Sequence, residues 1–243
     1  MATQSPVPYI APLERFAFND LFDDFFMGIH GRRGSGKTQF ILNVITMLYE
    51  TKKIDEVIIF TSVNSSMYAN LSFVSTLYSA YRDDLFANVL DRFHKENGKH
   101  KCIIFDDPIF GRGNTFDSLV RLARCYGITI ILASQYLQLT PTLRGQLTYF
   151  VLFGDESISN MKRIHDQYGM YQKFSDFIKI KDYYVHDYGM LILSFTPSPQ
   201  INYYKCDHLI DTSTYPHLRQ VPLNILDVNP ISKALCDASG SGI

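Results

Sequence analysis

Residues 31–38 read Gly-Arg-Arg-Gly-Ser-Gly-Lys-Thr and fill every specified position of the pattern G-x-x-x-x-G-K-[ST]. No other stretch narrows the available folds so far, because such a loop needs a buried strand before it and a helix after it. Both are present: Phe25-Phe-Met-Gly-Ile29 is an apolar run fit for a strand, and Phe40, Ile41, Val44, Ile45 and Leu48 recur at helical spacing. The small residues Gly31, Gly34, Ser35 and Gly36 let consecutive backbone N–H groups turn inward as a nest for phosphate oxygens. Lys37 is then expected to reach the β- and γ-phosphates, and the Thr38 hydroxyl to ligate Mg²⁺. The following helix points its positive N-terminal end at the same anion. The stretch predicts a site for a nucleoside triphosphate with Mg²⁺.

A chain of 243 residues has room for a complete α/β core in one domain. With 46% hydrophobic and 19% charged residues it reads as globular rather than disordered. A net charge of −1 excludes a protein that coats nucleic acid by bulk electrostatics, so contact with DNA would need a local patch or a ring that gathers a few cations. Cys102, Cys125, Cys206 and Cys236 form no C-x-x-C pair and are expected to be reduced core thiols. No apolar run approaches the ~20 residues that span a bilayer, and the first residues lack the layout of a secretion signal. A cytoplasmic location is expected.

Residues 1–24 form an N-terminal arm, opened by Pro6, Pro8 and Pro12. Residues 25–210 read as the nucleotide-binding domain, and residues 211–243 as a tail ending in Ser239-Gly-Ser-Gly242. Asp55–Ser62 is the second expected strand. The stretch 64–97 is expected to be mainly helical, with Leu71, Val74 and Leu77 on one face and Leu85, Val89 and Phe93 on another. Cys102–Asp107 is the third strand and ends in two carboxylates, and a helix over 115–126 follows. Ile128–Gln135 and Tyr149–Phe153 are the fourth and fifth strands. Helices follow around Ile158–Tyr168 and Phe174–Ile180, then a hairpin over 184–195 turning near Asp187-Tyr188-Gly189, with an edge strand over 202–209. Strands alternating with helices predict an α/β fold, a mostly parallel sheet covered on both faces. Ligands on such sheets bind at the carboxyl ends of the strands, where the loop, the Asp106-Asp107 pair and Gln135 all fall.

Each of these groups has a chemical task open to it. Asp106 sits where an apolar strand meets the nucleotide, the place for a carboxylate that holds the magnesium shell. Asp107, one residue on, can orient and polarise the attacking water. Gln135 can donate to the γ-phosphate or accept from that water. Positive charge for the transition state is offered by Arg121, Arg124 or Arg144, and a finger from a neighbouring subunit would tie activity to assembly. Arg32 and Arg33, inside the loop, have no assigned task.

The segments GRRGSGKT, CIIFDD, RCYGITIILASQ and TPTLRGQLTYFVLFG together resemble the FtsK–HerA superfamily of ring-forming DNA translocases, and within it the genome-packaging ATPases of large DNA viruses and virophages, the poxvirus type among them. The likeness is good over residues 25–154 and similar in layout beyond. It implies a P-loop NTPase fold of the RecA/ASCE-like kind. It also implies ATP hydrolysis in a homo-oligomeric ring, double-stranded DNA and a capsid or portal vertex as partners, and work at the viral assembly site in the host cytoplasm. By the same resemblance Asp106 matches the metal carboxylate, Asp107 the catalytic acid, Gln135 the sensor amide and Arg144 a recurrent arginine after the sensor strand; whether Arg144 or Arg124 is the finger stays open. The extra DNA-winding domain of the cellular translocases is not expected within these 243 residues. Gly111–Asn114 and Lys99–Lys101 are candidate DNA contacts. The alternative is a P-loop nucleoside or small-molecule kinase, against which stands the order of elements, with a whole strand between the loop and the acid pair. A GTPase is disfavoured because no Asn-Lys-x-Asp segment occurs.

Overall fold

Each central strand carries apolar residues on both faces, and that pattern dictates a sheet buried from two sides. A computed structural model of the chain describes residues 13–18, 21–63, 65–69, 71–96, 99–108, 115–154, 157–168, 173–196, 199–205 and 225–226. The strands, in chain order, are β1 (Phe26–His30), β2 (Glu56–Thr61), β3 (Val74–Tyr78), β4 (Lys101–Asp106), β5 (Thr129–Ser134), β6 (Tyr149–Leu152), β7 (Gly189–Ser194), β8 (Gln200–Lys205) and β9 (Ile225–Leu226). They form one sheet in the order β8-β7-β6-β1-β5-β4-β2-β3-β9. From β6 through β9 in that order all neighbours are parallel, while β7 runs antiparallel to both β6 and β8.

Alternation splits each strand between two cores. Met27, Ile29, Val57, Ile59, Cys102, Ile104, Ile131 and Ala133 face one side, packed with α1 (Lys37–Glu50) and the short α2 (Ser65–Tyr68). Phe26, Ile58, Phe60, Ile103, Phe105, Ile130 and Leu132 face the other. That side is covered by α3 (Asp83–Lys95), α4 (Thr115–Cys125), α5 (Pro141–Arg144), α6 (Ile158–Tyr168) and α7 (Phe174–Tyr184). The expected α/β architecture, with helices on both faces, is the one observed.

Four local expectations need correction. Leu71, Val74 and Leu77 do not share a helix: Val74–Tyr78 is β3, paired with β2, and Leu71 lies in the turn before it, its N–H bonded to Tyr68 O. Residues 184–195 are not a hairpin either. Helix α7 runs on to Tyr184, Asp187 and Tyr188 turn the chain into β7, and the hairpin is β7 with β8, which begins at Gln200 rather than 202. Cys102 is a buried thiol, but Cys125 is exposed. Lys101 is buried in β4, its Nζ donating to the carbonyls of Phe93 and Glu96, so it cannot serve as a DNA contact. Burial pushes its ammonium below the ordinary lysine range. Residues 1–12, the loop 111–114 and nearly all of 206–243 lie outside the described residues. The end of the arm is described: Phe16 N donates to Tyr203 O at 2.9 Å and Tyr203 N to Glu14 O at 3.1 Å, so this segment lies along the β8 edge.

Candidate nucleotide site

The parallel strands β1, β4 and β5 end side by side, with β5 in the middle, and their carboxyl ends deliver the residues singled out by the sequence. Between β1 and α1 the loop turns through Gly34 (φ 77°) and Gly36 (φ 97°), conformations closed to most L side chains. Gly31 meets a different constraint. A Cβ there would lie 2.6 Å from both Phe153 Cβ and Ser35 Oγ.

Lys37 opens α1 and is only 5% exposed. Its ammonium donates to Gly31 O at 2.8 Å and Arg32 O at 3.2 Å, and lies 3.7 Å from Asp107 Oδ2. Thr38 Oγ1 donates to Asp106 Oδ2 at 2.9 Å. Tyr68, fully buried, donates its phenol to the same oxygen at 2.9 Å. Burial pushes the Tyr68 phenol well above its ordinary value, and the neighbouring Asp106 carboxylate pushes it in the same direction, so the tyrosine is a proton donor at neutral pH. The sequence does not point to Tyr68; a lone tyrosine between two strands carries no spacing signal.

Asp107 follows β4 with φ 47°, a left-handed backbone that costs a non-glycine residue roughly 1–2 kcal/mol. Such strain gathers where function over-determines the geometry. Here the backbone is pinned by Asp107 N donating to Ala133 O at 2.9 Å, and the carboxylate by Gln135 N donating to Oδ1 at 3.1 Å. One carboxylate oxygen is thereby held by Gln135, just after β5, while the other faces Lys37.

Lys37, Thr38 and Asp107 open onto a cavity of about 430 Å³, whose lining also includes Arg33, Gly36 and Gln135, while Asp106 and Tyr68 are buried behind it. Val63 and Met67, which carry no signal in the sequence, also line it. The donor set suits Mg²⁺: a hydroxyl and a carboxylate oxygen stand 2.9 Å apart, and this ion keeps waters and phosphate oxygens in its remaining positions. Among the described residues no group of three or more His, Cys, Asp or Glu could hold a metal alone. Thr38 and Asp106 are the residues that could hold a magnesium ion here.

The arginines divide. Arg33 lines this cavity and Arg32 a second cavity beyond the loop. Arg144 lines neither of these cavities; its Nη1 donates to Leu139 O at 2.9 Å, within the turn that leads into α5. Arg124 ends α4 near Asp24 and is half-buried, and burial pushes its guanidinium below the usual arginine range. Asp24 precedes β1, so Arg124 sits at the amino ends of the strands, the edge away from the phosphates. Arg121 is exposed on α4.

A family model described as the Poxvirus A32 protein matches residues 13–215. The chain belongs to this family. The matched span takes in the end of the arm, the loop, the acid pair, the glutamine and the β7–β8 hairpin. A mimivirus relative, uncharacterized protein L649 of Acanthamoeba polyphaga mimivirus, is 30% identical over 143 residues, 57% of this chain and 48% of that one; the chain thus spans about half the length of the curated relative it matches. Among solved structures, the genome packaging NTPase B204 of Sulfolobus turreted icosahedral virus 2 is similar, with a TM-score of 0.59 and 20% identity over 76% of this chain and 98% of that one. The same protein solved with ATP-gammaS matches at 0.59 and 18% identity, with the same coverage. ATPases 2 and 3 of EssC from Geobacillus thermodenitrificans share the fold at 0.52 and 15% identity, over 81% of this chain and 43% of theirs. Membership of the A32 family and the B204 likeness bear out the resemblance to viral packaging ATPases and the P-loop fold it implied.

Proposed function

We propose that the chain binds ATP with Mg²⁺, hydrolyses it, and works as a homo-oligomeric ring that drives double-stranded DNA into a preformed capsid at an assembly site in the host cytoplasm. The observation that carries the hydrolytic part is the meeting of Lys37, Thr38, Asp107 and Gln135 around one cavity at the carboxyl ends of β1, β4 and β5, with Asp106 buried directly behind Thr38. The packaging part is supported by membership of the A32 family and by a fold shared with a protein described as a genome packaging NTPase.

In this reading the loop amides take the phosphate oxygens, and Lys37 exchanges the carbonyls of Gly31 and Arg32 for the β- and γ-phosphates. Bound Mg²⁺ supplies charge neutralisation of the β- and γ-oxygens. Tyr68 and Thr38 orient the Asp106 carboxylate, and Asp107, anchored through one oxygen by Gln135 N–H, takes the proton of the attacking water. The new bond joins the water oxygen to Pγ, the bond from Pγ to the bridging oxygen breaks, and ADP departs with the electron pair. The Gln135 side chain, at the cavity wall, reads the γ-phosphate or the water. Arg144 lies outside its own cavity, in keeping with a charge supplied across a subunit boundary.

Release of phosphate from Mg-ATP by the purified chain tests the hydrolytic reading. Lys37→Ala should abolish it, and an added nucleoside should gain no phosphate. Transfer to the nucleoside with little free phosphate would establish the kinase alternative instead.

A further inference from the structure

The cavity that takes the phosphates occupies one side of the loop, and a second cavity of about 340 Å³ opens on the other. Gly34 is common to both. The second is walled by Phe153, which follows β6, and by residues 185–189, the turn between α7 and β7. Its size falls in the range of small-molecule pockets.

Sheet order gives the two cavities a direction. The γ-phosphate must face Asp107 and Gln135, which follow β4 and β5, and β1 lies between β5 and β6. A nucleotide with its γ-phosphate toward β4 therefore carries its other end across the loop toward β6 and β7, where the second cavity lies.

The turn beyond is built in an uncommon way. Asp187 and Tyr188 are successive non-glycine residues with positive φ, 46° and 64°, and such backbone strain gathers at ligand clamps. Gly189 admits no side chain, since a Cβ would stand 2.2 Å from Tyr184 O. The strained pair presents the Tyr188 ring, 63% exposed, beside the phosphate loop, with Cδ1 only 3.3 Å from where a Cβ on Gly36 would stand. A large aromatic ring held in solvent against a phosphate loop is a stacking platform without its stack.

We propose that the second cavity is the base and ribose subsite and that Tyr188 stacks on the nucleobase; the proposal rests on the reading of residues 31–38 as a triphosphate site. Isothermal titration with Mg-ATP and with inorganic tripolyphosphate separates the two. Tyr188→Ala should weaken ATP binding roughly 5- to 150-fold, the range for loss of one base–aromatic stack, and leave tripolyphosphate binding unchanged, while Tyr188→Phe should keep the wild-type ATP affinity. Unchanged ATP affinity in Tyr188→Ala would overturn the subsite, as would an equal loss for both ligands, which would mark a distorted loop. Failure of the triphosphate reading has its own signature: Lys37→Ala would bind both ligands as well as the wild type does.

Discussion

At the scale of single residues the acid pair divides its labour by conformation. Asp106 ends β4 with ordinary strand geometry and is bonded by Thr38 and Tyr68. Asp107 steps into left-handed backbone and turns its carboxylate toward Lys37 and the cavity. Asparagine is nearly isosteric with aspartate and among the residues that best tolerate positive φ, so Asp107→Asn keeps the loop shape while removing the base. Its kcat should fall about 10²- to 10⁴-fold with ATP affinity little changed, measured by steady-state phosphate release and by titration of ATP. A kcat within a few-fold of wild type would remove Asp107 from the chemistry. The residues with local spacing signals (the loop, the acid pair and the glutamine ending the next strand) are legible in the amino-acid sequence. Tyr68 is not, because its partner lies 38 residues away and no spacing rule joins a tyrosine to a distant strand end. Lys101 misleads for a related reason: composition marks it as basic surface, while burial against the carbonyls of Phe93 and Glu96 is a tertiary fact.

At the scale of elements, β3 is the instructive case. Leu71, Val74 and Leu77 stand three apart, which is helical spacing, but Phe73 to Tyr78 is short and rich in aromatic and branched residues, features of a strand. Pairing with β2 decides the outcome: Leu77 lies opposite Ile59, wholly buried, while Ser75 points outward to Glu56. Leu77→Ala should therefore cost about 2–5 kcal/mol of stability, and Ser75→Ala less than about 1 kcal/mol, by chemical denaturation. Equal costs for the two would contradict the strand. The turn before β7 reads as a hairpin in the sequence because Asp187-Tyr188-Gly189 has turn chemistry at a plausible place. The turn is real, but it joins a helix to a strand. The strong elements β1, β2, β4, β5 and β6 are legible because continuous apolar runs bounded by breakers leave few alternatives.

At the scale of the whole molecule, parallel order brings three distant segments to one edge, and that convergence turns a phosphate-binding loop into a candidate engine. A net charge of −1 leaves little for a single subunit to offer a duplex, so DNA should matter most to an assembled ring, where a few cations repeat around a centre. Any such contact should weaken as salt rises. Hydrolysis should therefore be coupled to DNA in an oligomer. Phosphate release measured on size-separated fractions, with and without double-stranded DNA and with light-scattering mass for each, decides whether it is. Several-fold stimulation by DNA is expected in the oligomeric fraction, with little turnover in the monomer. Full activity in the monomer, or an oligomer indifferent to DNA, would rule that coupling out.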